Sequence, residues 1–214
     1  ALGELSYTPV SIVSTALIAV FACVSINALF ARVFAAPLNN DSATITGLIL
    51  ALIVGPTVTT DAFVFLAWAC ILAMASKYII AWRHTHLFNP AAIAIVLTSI
   101  FAHHSASWWI SDSRLTPFVV LGGLLVVRKL RRTDLVFAFL LTTLFGSLAW
   151  NALDGISWQQ AIRQDVFESF VWFLGFVMLT EPVTMPRRKL WQMAYAVLLG
   201  ILVMPEFHIG NHFL

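Results

Sequence analysis

The chain has 214 residues, 60% of them hydrophobic and 10% charged, with a formal net charge of +2 and a mean hydropathy of +0.91. That balance lies outside the soluble globular range and predicts a membrane protein. So small a positive charge, placed at the ends of apolar runs, excludes a nucleic-acid partner. Cys23 and Cys70 lie inside apolar runs without CxxC spacing, which argues against a disulfide framework or a one-chain iron–sulfur cluster and predicts core residues.

In chain order, "ALGELSYTPV" has no basic n-region, and the apolar run after it is too long for a cleaved signal peptide, so the first helix is expected to be permanent. Apolar segments follow near 9 to 32, 43 to 55, 62 to 80, 90 to 102, 116 to 127, 134 to 152, 167 to 180 and 190 to 205. Lipid offers no partner to peptide groups, and these Leu, Ile, Val and Ala runs lack strand-like alternation, so they are expected to be helices rather than barrel strands. Segments 43 to 55, 90 to 102 and 116 to 127 reach only about 20 Å as helix, which predicts half-helices or helices with unwound ends. The expected fold is therefore all-α, a polytopic integral membrane helical bundle with broken helices and a weak internal repeat, in one domain over 1–214. If all eight segments cross, Arg32, Lys77, Arg83, "RKLRR" (128 to 132) and "RRK" (187 to 189) share the cytoplasmic side, while Trp108 and Trp109 face the outer interface.

Three interruptions carry the polar side chains. In "NNDSATITGLILALIVGP" (39 to 56), Asp41 and Ser42 are cap residues, and Ser42, Ala43 and Gly47 suit either close helix packing or an anion at a helix N-terminus. In "HTHLFNPAAI" (84 to 93), Pro90 removes a donor and disfavours helix at Asn89, giving either an interfacial turn or freed groups lining a ligand cavity. "MLTEPVTMP" (178 to 186) repeats the arrangement with Glu181 before Pro182; a buried carboxylate there must be paired or protonated, whereas at the interface Arg187 and Arg188 would solvate it.

Together "SATITGLILAL" (42 to 52), "HLFNPAAI" (86 to 93) and "MLTEPVTMP" resemble, in the same order, the membrane flavin subunit family (NqrB/RnfD-like), whose members belong to the sodium-pumping NADH:quinone oxidoreductase and to the Rnf complex. The resemblance implies a helical subunit, related in fold to urea and ammonium channels, that carries flavin (riboflavin or FMN) and passes electrons within a redox complex of the prokaryotic cytoplasmic membrane. It makes Asn89 the first flavin-binding candidate, with Thr46, Ser42, His86, Glu181 and Thr184 as further contacts. It also implies FMN joined to threonine in D-x-x-S-G-A-T. Here "WISDSRLTPFVV" (109 to 120) keeps Ser113 and Thr116, but Arg114 and Leu115 replace Gly-Ala, so covalent FMN at Thr116, noncovalent flavin, and a plain helix start at Thr116 all stand open. Glu181 stands where the family has aspartate. The implied partners are the lipid bilayer, a reductase module or domain supplying electrons, and other membrane subunits or a second copy.

The second reading is a channel or transporter for a small solute, since paired broken helices are also transporter features. A third, haem b, is opposed by the placement of the six histidines, which do not form pairs at matching depths on long helices. No metal site, general acid or nucleophile is assigned.

Overall fold

The computed structural model describes residues 7–82, 85–102, 106–153, 155, 159, 170–186, 188–204, 208–209 and 212–213. Arg83, His84, His103, His104 and Arg187 lie outside them. The fold is helical, with two antiparallel pairs of two-residue strands. Its contacts divide the chain into two compact units, Ala1–Trp109 and Ile110–Leu214.

The first unit contains α1 (Pro9–Val33), α2 (Asn40–Val54), α3 (Thr60–Ile79), the pair β1 (Ala81–Trp82) and β2 (Thr85–His86), and α4 (Pro90–Ala102). Several of its helix ends find partners for their orphan peptide groups. The Thr8 hydroxyl accepts from Ser11 N at 3.2 Å and Pro9 opens α1, a favoured N-terminal pairing. At the other end Ala35 is left-handed (φ 48°), and Ala35 N and Ala36 N donate to Arg32 O and Ala31 O at 3.3 and 2.9 Å, the two bonds of a Schellman motif. Thr59 caps α3 through Ala62 N at 3.2 Å.

The C-terminus of α2 is closed by a strap from after α4. Trp109 Nε1 donates to Ala51 O (2.9 Å), Trp108 N to Ile53 O (2.9 Å) and Ser107 Oγ to Val54 O (3.0 Å). Gly55 follows at φ 96°, and a Cβ there would stand 2.7 Å from Ser107 Oγ, so only glycine suits this turn.

Helices α1 and α2 run antiparallel, as two ties at opposite ends show: Thr15 Oγ1 meets Thr57 Oγ1 at 3.0 Å, and Asn27 Nδ2 donates to Asn39 O at 3.2 Å. The packing surface is built from small side chains, with Ala19, Cys23, Ala43, Ala69, Cys70 and Ala73 fully buried, which lets backbones approach closely. Both cysteines are therefore core residues, as expected from the sequence. By contrast the large apolar side chains of Val10, Leu17, Phe21 and Leu29 on α1 are exposed. Helices α1 and α3, and the later helix Thr133–Leu153, are long and apolar enough to cross a membrane.

The second unit holds α5 (Thr116–Leu130), α6 (Thr133–Leu153), α7 (Val171–Phe173) continued by a π-helical stretch (Leu174–Met178), α8 (Lys189–Leu202), and the pair β3 (His208–Ile209) and β4 (His212–Phe213). Its core joins Leu135 and Phe139 of α6 to Val171, Leu179, Met185 and Ala196. Gly200 lets α8 press on α6: a Cβ there would lie 3.0 Å from Phe139 O, and Thr143 Oγ1 donates to Gly200 O at 3.1 Å.

A Cβ at Gly47 would stand 2.8 Å from Val20 Cα and 2.9 Å from Ala19 O, both backbone atoms. Gly47→Ala should therefore force α1 from α2 and lower stability by about 1–3 kcal/mol, read as an earlier thermal unfolding midpoint in detergent.

Candidate functional site

Asn39, Ser42, Lys77, Tyr78 and Asn89 lie toward the end of the first unit's bundle where α1 and α3 finish and α2 and α4 begin. Chain geometry brings this about: α1 and α2 are antiparallel, α3 returns, and β1 and β2 fold the chain back, with Leu87 N donating to Ile80 O at 3.2 Å, to start α4 at the same end.

Asn39 and Asn89 are the two caps. Asn39 Oδ1 accepts from Ser42 N at 3.0 Å, while Asn89 Oδ1 accepts from Ala91 N and Ala92 N at 3.0 and 3.1 Å. The proline break at 90 is thus closed locally, and the Asn89 acceptor is committed to its own helix; its Nδ2 group is the part of that side chain suited to a ligand.

Lys77, half-buried in the last turn of α3, donates from Nζ to Ser42 Oγ at 3.0 Å. Ser42 is further anchored because Thr46 Oγ1 donates to its carbonyl at 2.8 Å. Next to Lys77, Tyr78 Oη donates to Asn27 Oδ1 (2.8 Å) and Asn27 O (3.1 Å). Asn27 is 2% exposed in the middle of an apolar surface, and this network satisfies it. The Tyr78 ring stacks on Phe34 at 5.7 Å between centroids and 25° between planes, with Phe30 5.8 Å away.

The Lys77 ammonium favours a negative group at this end, where the positive ends of α2 and α4 are offset by the negative ends of α1 and α3. Asp41 in the first turn of α2 opposes it from an exposed position, where water screens it. The cation, the amide donor and the aromatic rings here are of the kinds that a flavin ring with an electron-rich edge or phosphate uses.

The other sequence candidates fall as follows. His86 is half-buried on β2, with an interaction of its own. Thr116 is buried at the start of α5, its hydroxyl donating to Asp112 O at 3.3 Å. Glu181 and Thr184 lie in the turn after the π-helical stretch, both half-buried, and the Glu181 carboxylate interacts electrostatically with Tyr195. Ser42 and Thr46 are joined, His86 and Asn89 share the return to α4, and Glu181, Thr184 and Thr116 belong to the second unit. Sequence reasoning treated Lys77 only as a charge marking one membrane side and passed over Asn27 and Tyr78. The available signal was polarity inside apolar helices, which is costly in lipid and by default marks a working residue.

Among the described residues no three His, Cys, Asp or Glu side chains form a metal-binding group. No family model matches the chain, and no curated protein matches it.

Asn89→Ala should remove the α4 cap and lower stability by about 1 kcal/mol, whereas Asn89→Asp, which keeps a cap oxygen, should stay close to wild type. Chemical denaturation of the detergent-solubilised protein distinguishes the two.

Proposed function

We propose that the chain is a flavin-binding electron-transfer subunit or domain of a membrane oxidoreductase in the prokaryotic cytoplasmic membrane, fed by a reductase module. The observation that carries the reading is the Lys77–Ser42 contact, which seats a cation from the end of α3 on one of the three stretches that resemble the membrane flavin subunits, while a second of them opens α4 after the turn that follows α3. Riboflavin or FMN, when bound, supplies the electron-carrying chemistry.

The chain's own contribution is electrostatic and positional. The Lys77 ammonium favours a ligand that gains negative charge on reduction and would raise its readiness to take an electron. Asn89 Nδ2 and the rings of Phe34 and Tyr78 are the groups that would be offered to a planar ring. On the second unit, Glu181 is a carboxylate whose charge would act in the opposite sense on any redox group near it. Thr116, whose hydroxyl already donates to Asp112 O, serves here as a helix start, and the flavin is noncovalent.

The protein purified from flavin-replete cells should show flavin absorption, and acid precipitation should release the colour into the supernatant. Asn89→Asp, which retains the cap but loses the amide donor, and Lys77→Gln should each lower flavin occupancy about tenfold, the loss of one hydrogen bond to a charged or polar edge. A colourless, folded protein that takes up neither riboflavin nor FMN contradicts the reading; if such protein moves a small solute across vesicles, the channel reading replaces it.

A further inference from the structure

The second unit contains a groove that the electron-transfer reading does not use. Helices α5 and α6 touch sparingly, and the wedge between them and α7 leaves a hollow of about 270 Å³ walled by Leu124 and Val127, by Phe137 and Leu141, and by Trp172 and Phe176. Trp172 and Phe176 stack at 5.7 Å and 22°. Their spacing comes from α7 and its π-helical continuation, a widened turn of the kind that often marks a working site. The groove is open along one side, because Phe137, Leu141 and Leu124 are 54%, 48% and 43% exposed.

Along α6 the groove starts at Thr133 and stays apolar until Thr143, whose hydroxyl is tied to Phe139 O and Gly200 O. Ser147 follows, buried with no partner for its hydroxyl among the described residues. The apolar stretch is about 15 Å of helix, half of a hydrocarbon core of ~30 Å and so the depth of one leaflet.

At its shallow end the groove reaches the α5–α6 turn, and so does a second, polar hollow of about 420 Å³ lined by Arg131, Arg132, Asp134, Lys189 and Gln192. Asp134 is its one acid, and it pairs with Lys189; among the described residues neither Arg131 nor Arg132 makes an ion pair. Arg131 is held left-handed (φ 54°) as the C′ residue of a Schellman motif, with Arg131 N and Arg132 N donating to Arg128 O and Val127 O. Glycine is the usual residue there, so a strained arginine keeps two cations at the turn where the backbone alone would be better served without one.

We propose that this is a binding site for an anionic phospholipid, its headgroup held by Arg131 and Arg132 and one acyl chain lying in the groove against Trp172. Net positive charge at the α5–α6 turn where the groove begins, an apolar channel one leaflet deep and a side open to surrounding lipid fit that ligand together. The proposal rests on the membrane reading above and is independent of flavin.

The test places the full chain in nanodiscs containing phosphatidylcholine with a small fraction of acyl-brominated phosphatidylglycerol, or of acyl-brominated phosphatidylcholine, and follows tryptophan quenching. Brominated phosphatidylglycerol should quench at lower mole fraction, and Trp172→Phe should remove the difference. Arg131→Gln and Arg132→Gln should each raise the required mole fraction about fivefold. Equal quenching by the two brominated lipids, or an unchanged profile in the doubly substituted protein, overturns the lipid site while leaving the membrane reading intact. Failure of folded protein to enter nanodiscs overturns both.

Discussion

An apolar surrounding offers no water to a peptide group, and that constraint shapes this chain at every helix end. Short helices have a larger share of orphan groups than long ones, so α2 and α4 demand more help than α1 and α3. The asparagines at 39 and 89 close their beginnings, and the strap of Ser107, Trp108 and Trp109 closes the end of α2. Because hydrogen-bonding side chains are needed at the ends and are costly elsewhere, polar chemistry concentrates there. The Lys77, Tyr78 and Asn27 network is the consequence: once helix termini meet at one face, a cation and an amide can be kept in an otherwise greasy bundle with their bonds made.

Much of the architecture was legible because hydropathy and proline act locally. Segments read at 9 to 32, 62 to 80, 90 to 102 and 134 to 152 became α1, α3, α4 and α6 with ends shifted by a few residues. Helix α2 begins earlier than its apolar run, since Asn40, Asp41 and Ser42 are polar yet helical in a capped first turn. The π-helical stretch at Leu174–Met178 had no sequence signal, being a register change that packing against α6 decides. The site was legible only in part. Asn89 was singled out for the freed backbone around Pro90, and its main visible task is to bind that backbone itself. Lys77 finds Ser42 across 35 positions of sequence, a meeting that no local pattern encodes. The flavin reading came from resemblance, and the physics of the residues supplies only its compatibility.

The two units answer the constraint differently. In the first, small residues bring helices together and the polar groups are drawn inward. In the second, α5 and α6 splay from their shared turn, leaving an apolar wedge, with two arginines at that turn. The first arrangement suits holding a charge-bearing group in a fixed field; the second suits an exchangeable molecule drawn from the surroundings.

The central claim is that the first unit crosses a bilayer with its cation-bearing end at one interface. Side-specific labelling of single introduced cysteines in oriented vesicles tests it most directly, since Cys23 and Cys70 are buried. Leu38→Cys and Phe88→Cys should react with an impermeant maleimide from one side only, and Val58→Cys and Asp61→Cys from the other side only. Reaction of all four from the same side would contradict the account.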